Sequence, residues 1–181
     1  MAKSSWNTDR IIGLSAMMIS ILTLIIFIYQ TNIMRNQSRL SVQPRLIISS
    51  NSITTDSLYT FRLNLLNKGL GPAIIESISI LYKDKKLEAR FDDFVAAQFP
   101  AFDDYAALVS NTYLSVGSTI SAGEIQNLYA VEIPIANLEK LIKYLGIEPG
   151  EDPIEIEVVY ASIYKEKWRI NSTEEGHPVE L

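Results

Sequence analysis

Four carboxylates stand close together in the stretch "FDDFVAAQFPAFDDYAALVSN": Asp92 and Asp93, then Asp103 and Asp104. Brought together in space, they would suit a hard cation such as Ca²⁺ or Mg²⁺, and with it a metal-dependent hydrolase. The pairs, however, lack the alternate-residue spacing, the central glycine and the terminal glutamate of a calcium loop. Asp is also favoured at helix N-caps and first turns, where it meets the positive end of the dipole. Each Phe-Asp-Asp-aromatic copy therefore reads as the start of a short helix with solvated, capping carboxylates. Phe91, Phe94, Phe99, Phe102 and Tyr105 then pack the excursion onto the domain, or form an aromatic flap over a ligand with the four aspartates at its edge.

Other chemistries find little to work with. His177 is the only histidine, so a histidine-dependent triad or a multi-histidine metal site cannot be built within one chain. The absence of cysteine removes thiolate catalysis, disulfides and cysteine metal sites. "GLGPAI" has neither the Lys-Ser/Thr of a phosphate loop nor the third glycine of a dinucleotide fingerprint. Many Asp and Glu side chains remain, but no spacing selects a catalytic pair. No metal, cofactor or catalytic residue is assigned.

The elements that must position these residues divide the chain. Ile11–Tyr29, "IIGLSAMMISILTLIIFIY", holds no charge in 19 residues. As a helix it is about 28 Å long, matching a hydrocarbon core of about 30 Å, so it is expected to cross a membrane once. The run is too long, and ends too bulkily at Phe27, Ile28 and Tyr29, for a cleaved signal peptide. Lys3 and Arg10 precede it, in a tail of residues 1–10; Arg35, Arg39 and Arg45 follow it. The excess of arginine places the C-terminal side in the cytoplasm, and these arginines also suit an anionic leaflet. Gly13, Ala16, Ser20 and Thr23 share one helical face, a candidate seam for homo-oligomers. Residues 30–44 read as a short helical stalk that Pro44 ends.

From residue 45 to 172 the dominant period is two. Tyr59, Phe61, Leu63 and Leu65 alternate with Thr60, Arg62 and Asn64; Ile125, Tyr129, Val131 and Ile133 form a second set; Ile154, Ile156, Val158 and Tyr160 oppose Glu155 and Glu157. This pattern predicts half-buried antiparallel strands. "KGLGPA" is expected to turn the strand at 58–67 tightly back into that at 74–82, with its glycines at positive φ, and "IEIEVVYASIY" to form a hairpin with "KEKWRI". The fold expected is a mainly β, immunoglobulin-like antiparallel sandwich of seven to nine strands with two or three short helices. One helix is "IANLEKLIKYLG", with Asn137 as cap, Leu138, Leu141, Ile142 and Leu145 inward, and Gly146 as stop. Residues 173–181 are expected to form a flexible tail.

Residues 46–181 hold 20 acidic and 11 basic side chains, net −9, while residues 1–45 carry +4. An acidic domain of this kind does not bind nucleic-acid backbones as a whole.

The helix ending "IYQTNIMRNQSRLSVQPRL" and the later "LNKGLGPAIIESISILYK" resemble those of a set of uncharacterised bacterial single-pass membrane proteins. Asn67, Gly69, Gly71, Pro72 and Ala73 carry the likeness, which reaches Tyr82. It implies a β-sandwich after the anchor, with these residues in a turn, and implies no catalytic residue. The expectation is a membrane-anchored, non-catalytic binding or recruitment module for a protein or small ligand. The alternatives are a ligand-gated oligomeric membrane effector working through the helix seam, and the metal-dependent carboxylate hydrolase.

Overall fold

Nothing between Ile11 and Tyr29 interrupts an i to i−4 ladder, and in the structure, a computed structural model, α1 runs from Trp6 to Leu40. The structure describes residues 6–83, 85–147, 154–173 and 177–181; Lys3 lies outside them. The helix is long and apolar enough to cross a membrane. Its stalk portion is continuous with the apolar run but stops at Leu40, ahead of Pro44. The hydroxyls of Ser15, Ser20, Thr23 and Thr31 donate to the carbonyls of Ile12, Ala16, Ile19 and Phe27 on their own helix. Residues 1–41 and 42–181 are separate units.

The second unit is an antiparallel sandwich. Its strands are β1 (Leu46–Thr54), β2 (Leu58–Asn67), β3 (Ala73–Tyr82), β4 (Lys85–Leu87), β5 (Ala107–Asn111), β6 (Thr119–Ile120), β7 (Ile125–Pro134), β8 (Ile154–Ala161), β9 (Lys167–Asn171) and β10 (Val179–Glu180). One sheet has the order β1-β2-β7-β5; the other has β10-β9-β8-β3-β4, with β6 also on β3. Taken in chain order, this is the A-B-E-D and G-F-C arrangement of immunoglobulin-type sandwiches, with β4 added beside C and β10 beside G. Among its described residues the helices are α2 (Phe91–Gln98) and α3 (Ile135–Leu145), with a 3-10 turn at Phe102–Asp104.

Packing follows the alternation. Leu63, Leu65, Ile75, Val158, Tyr160, Trp168 and Ile170 meet between the sheets in one half of the core. In the other half, Tyr82, Val131 and Ile133 are covered by Phe94, Phe99, Phe102 and Leu141 from the helical segments. Phe94 meets Tyr82 edge to face at 5.5 Å. The aromatic excursion is thus part of the core.

Several expectations are corrected. "KGLGPA" does not make a hairpin, because β2 and β3 belong to different sheets. Neither Gly69 nor Gly71 is among the positive-φ glycines of the described residues, which are Gly117, Gly123 and Gly146. Glycine is needed at these two positions for close approach: a Cβ on Gly69 would lie 2.3 Å from the Arg45 nitrogen, and one on Gly71 1.8 Å from the Val42 carbonyl oxygen. Ile125 is exposed, because Leu128 is an extra residue in β7 against β2 and reverses the inward phase. In α3 the cap residue is Pro134, while Asn137 reaches the Tyr105 carbonyl from inside the helix. Ile142 is exposed and Tyr144 packs in its place; Gly146 does end the helix, at φ 67°. Within the segment expected to be a flexible tail, residues 174–176 lie outside the described residues, and Val179 and Glu180 form β10, paired with Arg169 and Trp168 of β9.

Asn67 explains why the crossover is built as it is. It is fully buried. Its Oδ1 accepts from the Arg45 and Gly69 N–H groups, and its Nδ2 donates to the Gly71 and Ile120 carbonyls. One side chain therefore joins the entry to β1, the crossover and β6. All of its hydrogen-bonding capacity faces backbone that would otherwise be buried unpaired.

Tyr160 secures β1 from the opposite sheet by accepting the Leu46 N–H at 3.2 Å. Burial pushes its hydroxyl from 10.0 up to about 12. The folded state therefore holds this proton more tightly than the unfolded chain. The associated stability is fully present below about pH 10 and is lost as the pH rises from about 10 through about 12. Chemical unfolding measured across that range is expected to show the loss, and Tyr160→Phe to remove this residue's share of the slope.

Candidate functional site

The sandwich opens beside β3. A cleft of about 530 Å³ lies between the sheets there. Its floor is aliphatic, formed by Ile78 and Ile80 of β3, Leu128 of β7 and Ile156 of β8. Glu76 is an extra residue in β3 against β8, between Ile75 and Ser77. That bulge re-aims the strand beyond it.

Two connecting segments form the walls. Residues 88–91, entering α2, bring Glu88, Arg90 and Phe91, with Asp93 following; residues 111–116, leaving β5, bring Asn111, Thr112, Tyr113 and Val116. The second segment is latched onto β3, since Gly117 N–H donates to the Ile75 carbonyl at 2.7 Å and Ile75 N–H to the Ser118 carbonyl at 2.8 Å. Gly117 sits at φ 87°, which explains a glycine there. Phe91 lies flat on Tyr129 with ring centres 3.8 Å apart, fixing the inner wall.

The rim carries charge. Arg90 donates to both carboxylate oxygens of Asp92, at 3.0 and 2.7 Å, and lies over the Tyr113 ring at 5.2 Å. The hydrogen bonds from Arg90 hold the Asp92 carboxyl below the usual range and raise the guanidinium in turn. Asp92 is consequently a fixed anion and poorly suited to act as a base.

Of the four aspartates singled out from the sequence, only Asp93 lines the cleft. Asp92 and Asp93 occupy the first turn of α2 without capping it, as Arg90 is the N-cap residue. Asp103 and Asp104 are exposed on the 3-10 turn. No group of three or more His, Asp or Glu side chains that could hold a metal ion forms among the described residues. The hydrolase reading therefore loses the motif that suggested it.

Gly13, Ala16, Ser20 and Thr23 lie along α1, and the two hydroxyls are satisfied within the helix. Arg35 and Arg39 stand near its C-terminal end. Arg45 lies just before β1, with its N–H bound by Asn67. Sequence reasoning missed the cleft residues Tyr113 and Val116. Their only signal was exposure of large apolar groups, 62% and 74%, which is visible only after folding.

No protein-family model and no curated protein matches the chain.

Proposed function

We propose that this chain is a membrane-anchored binding module of the bacterial inner membrane, crossing it once with α1 and presenting an acidic sandwich to the cytoplasm. It acts by binding in the cleft rather than by catalysis. The observation that carries this reading is the cleft of about 530 Å³, an aliphatic floor beneath a rim of fixed polar groups. Its size lies within the range of about 300–1,000 Å³ usual for small-ligand sites. The matching occupant has an apolar body and a polar end: a small amphipathic molecule, or an apolar side chain of a recruited protein. Arg35, Arg39 and Arg45 after the helix, against Lys3 and Arg10 before it, support the cytoplasmic side.

Val116 lines the cleft and is 74% exposed, so Val116→Trp fills the mouth without entering the core. The full chain in detergent is to be screened by thermal shift against amphipathic acids, amines and short apolar peptides. A stabilising compound is expected to lose affinity by at least about tenfold in Val116→Trp. Equal stabilisation of both proteins would remove the cleft from the reading.

A further inference from the structure

Most free edges of the two sheets carry a device that discourages further pairing. β5 has a bulge between Leu108 and Ser110, β4 carries Lys85 and Lys86, and β10 is only two residues long. β1 ends its sheet and has none of these. Its nine residues, "LIISSNSIT", include no charge and no proline, and they pair with β2 residue for residue without a bulge.

The direction of its free hydrogen-bonding groups follows from its partners. Lys68 N–H donates to the Arg45 carbonyl and Thr55 N–H to the Leu58 carbonyl, so the odd-numbered residues of β1 exchange hydrogen bonds with β2. The even-numbered residues face away from it. Leu46 fits, since its N–H goes to Tyr160. Ile48, Ser50, Ser52 and Thr54 therefore turn their N–H and C=O groups to the open edge.

We propose that this edge pairs antiparallel with β1 of a second copy of the chain, about a two-fold axis at Asn51. In that register Ile48 meets Thr54 and Ser50 meets Ser52, and the outward backbone groups of these four residues find partners. The charges select the arrangement. Arg45 and Asp56 are the nearest charged residues on either side of the strand. Antiparallel pairing sets Arg45 of each copy opposite Ser57 of the other, one residue from Asp56, so ends of opposite charge meet, whereas parallel pairing would set like-charged ends together. The inference rests on the membrane reading only for the crowding of copies in one surface, which raises their effective concentration.

The chain contains no cysteine, so one introduced cysteine reports only contacts between copies. Asn51 is exposed, and a residue on the axis faces its copy across a non-hydrogen-bonded pair with Cα atoms about 4.5 Å apart, within disulfide reach. The full chain carrying Asn51→Cys is to be oxidised mildly in phosphatidylcholine vesicles and in detergent, beside Lys85→Cys on β4. Dimer formation is expected at least about tenfold faster at position 51. Adding Ser50→Pro, which removes an outward N–H and spares the β2 ladder, is expected to abolish it. Equal rates at positions 51 and 85, or a rate indifferent to Ser50→Pro, would overturn the proposal. Vesicle flotation reports anchoring separately, so failure of the membrane reading is distinguished from failure of the pairing, which the detergent sample reads alone.

Discussion

Asn67→Ala is expected to destabilise the domain by about 3–5 kcal/mol, a large part of the roughly 5–15 kcal/mol by which such domains are stable. The cost is in the groups left behind. The Arg45 and Gly69 N–H groups and the Gly71 and Ile120 carbonyls all lose their partner at a side chain with no solvent exposure. An orphaned buried group costs about 1–3 kcal/mol, and partial rearrangement of the crossover offsets some of the total. Denaturant unfolding of the full chain, followed by tryptophan fluorescence through buried Trp168, measures it. A loss under about 1 kcal/mol would mean that water replaces the amide and that the crossover is held by its glycines alone.

Phe94→Ala is expected to cost about 3–5 kcal/mol. Phe94 is 2% exposed and meets Tyr82 and Phe99 edge to face at 5.5 and 6.0 Å. Truncation empties the centre of the core half beneath α2. The same unfolding measurement decides between two roles for the excursion. If it were a flap over a ligand, the change would leave unfolding of the free protein nearly untouched. A large loss identifies it as the packed lid of the sandwich.

Much of the fold was legible because it rests on period. Leu63, Leu65, Val158, Tyr160, Trp168 and Ile170 alternate in the chain and are buried in the structure. Periodicity does not record where a register slips, and so Ile125 was placed inward and Leu128 passed over. Nor does it tell a hairpin from a crossover: "KGLGPA" has turn residues, but the glycines answer to the backbone at Val42 and Arg45, which no local rule sees. The pairing of Val179 and Glu180 was illegible for a similar reason, since they are held by β9 and not by any preference of their own. The aspartate pairs were legible as first-turn residues and misleading as a cluster. The cleft was not legible at all, because its floor and walls bring together residues as distant as Ser77 and Ile156.

The long reach of the Tyr160 hydroxyl to the Leu46 N–H also sets an order of events during synthesis. The two residues are 114 apart in the chain. At about 5–20 residues per second, Tyr160 leaves the ribosome roughly 6–23 s after Leu46. Asn67 waits in the same way for Ile120, 53 residues later. α1 precedes both, so the long apolar helix is complete well before the sandwich can close. The uncharged β1 edge spends that interval without its final ties. β1 can pair with β2 as soon as that strand follows it, but its tie to the opposite sheet through Tyr160 is among the last the sandwich can make.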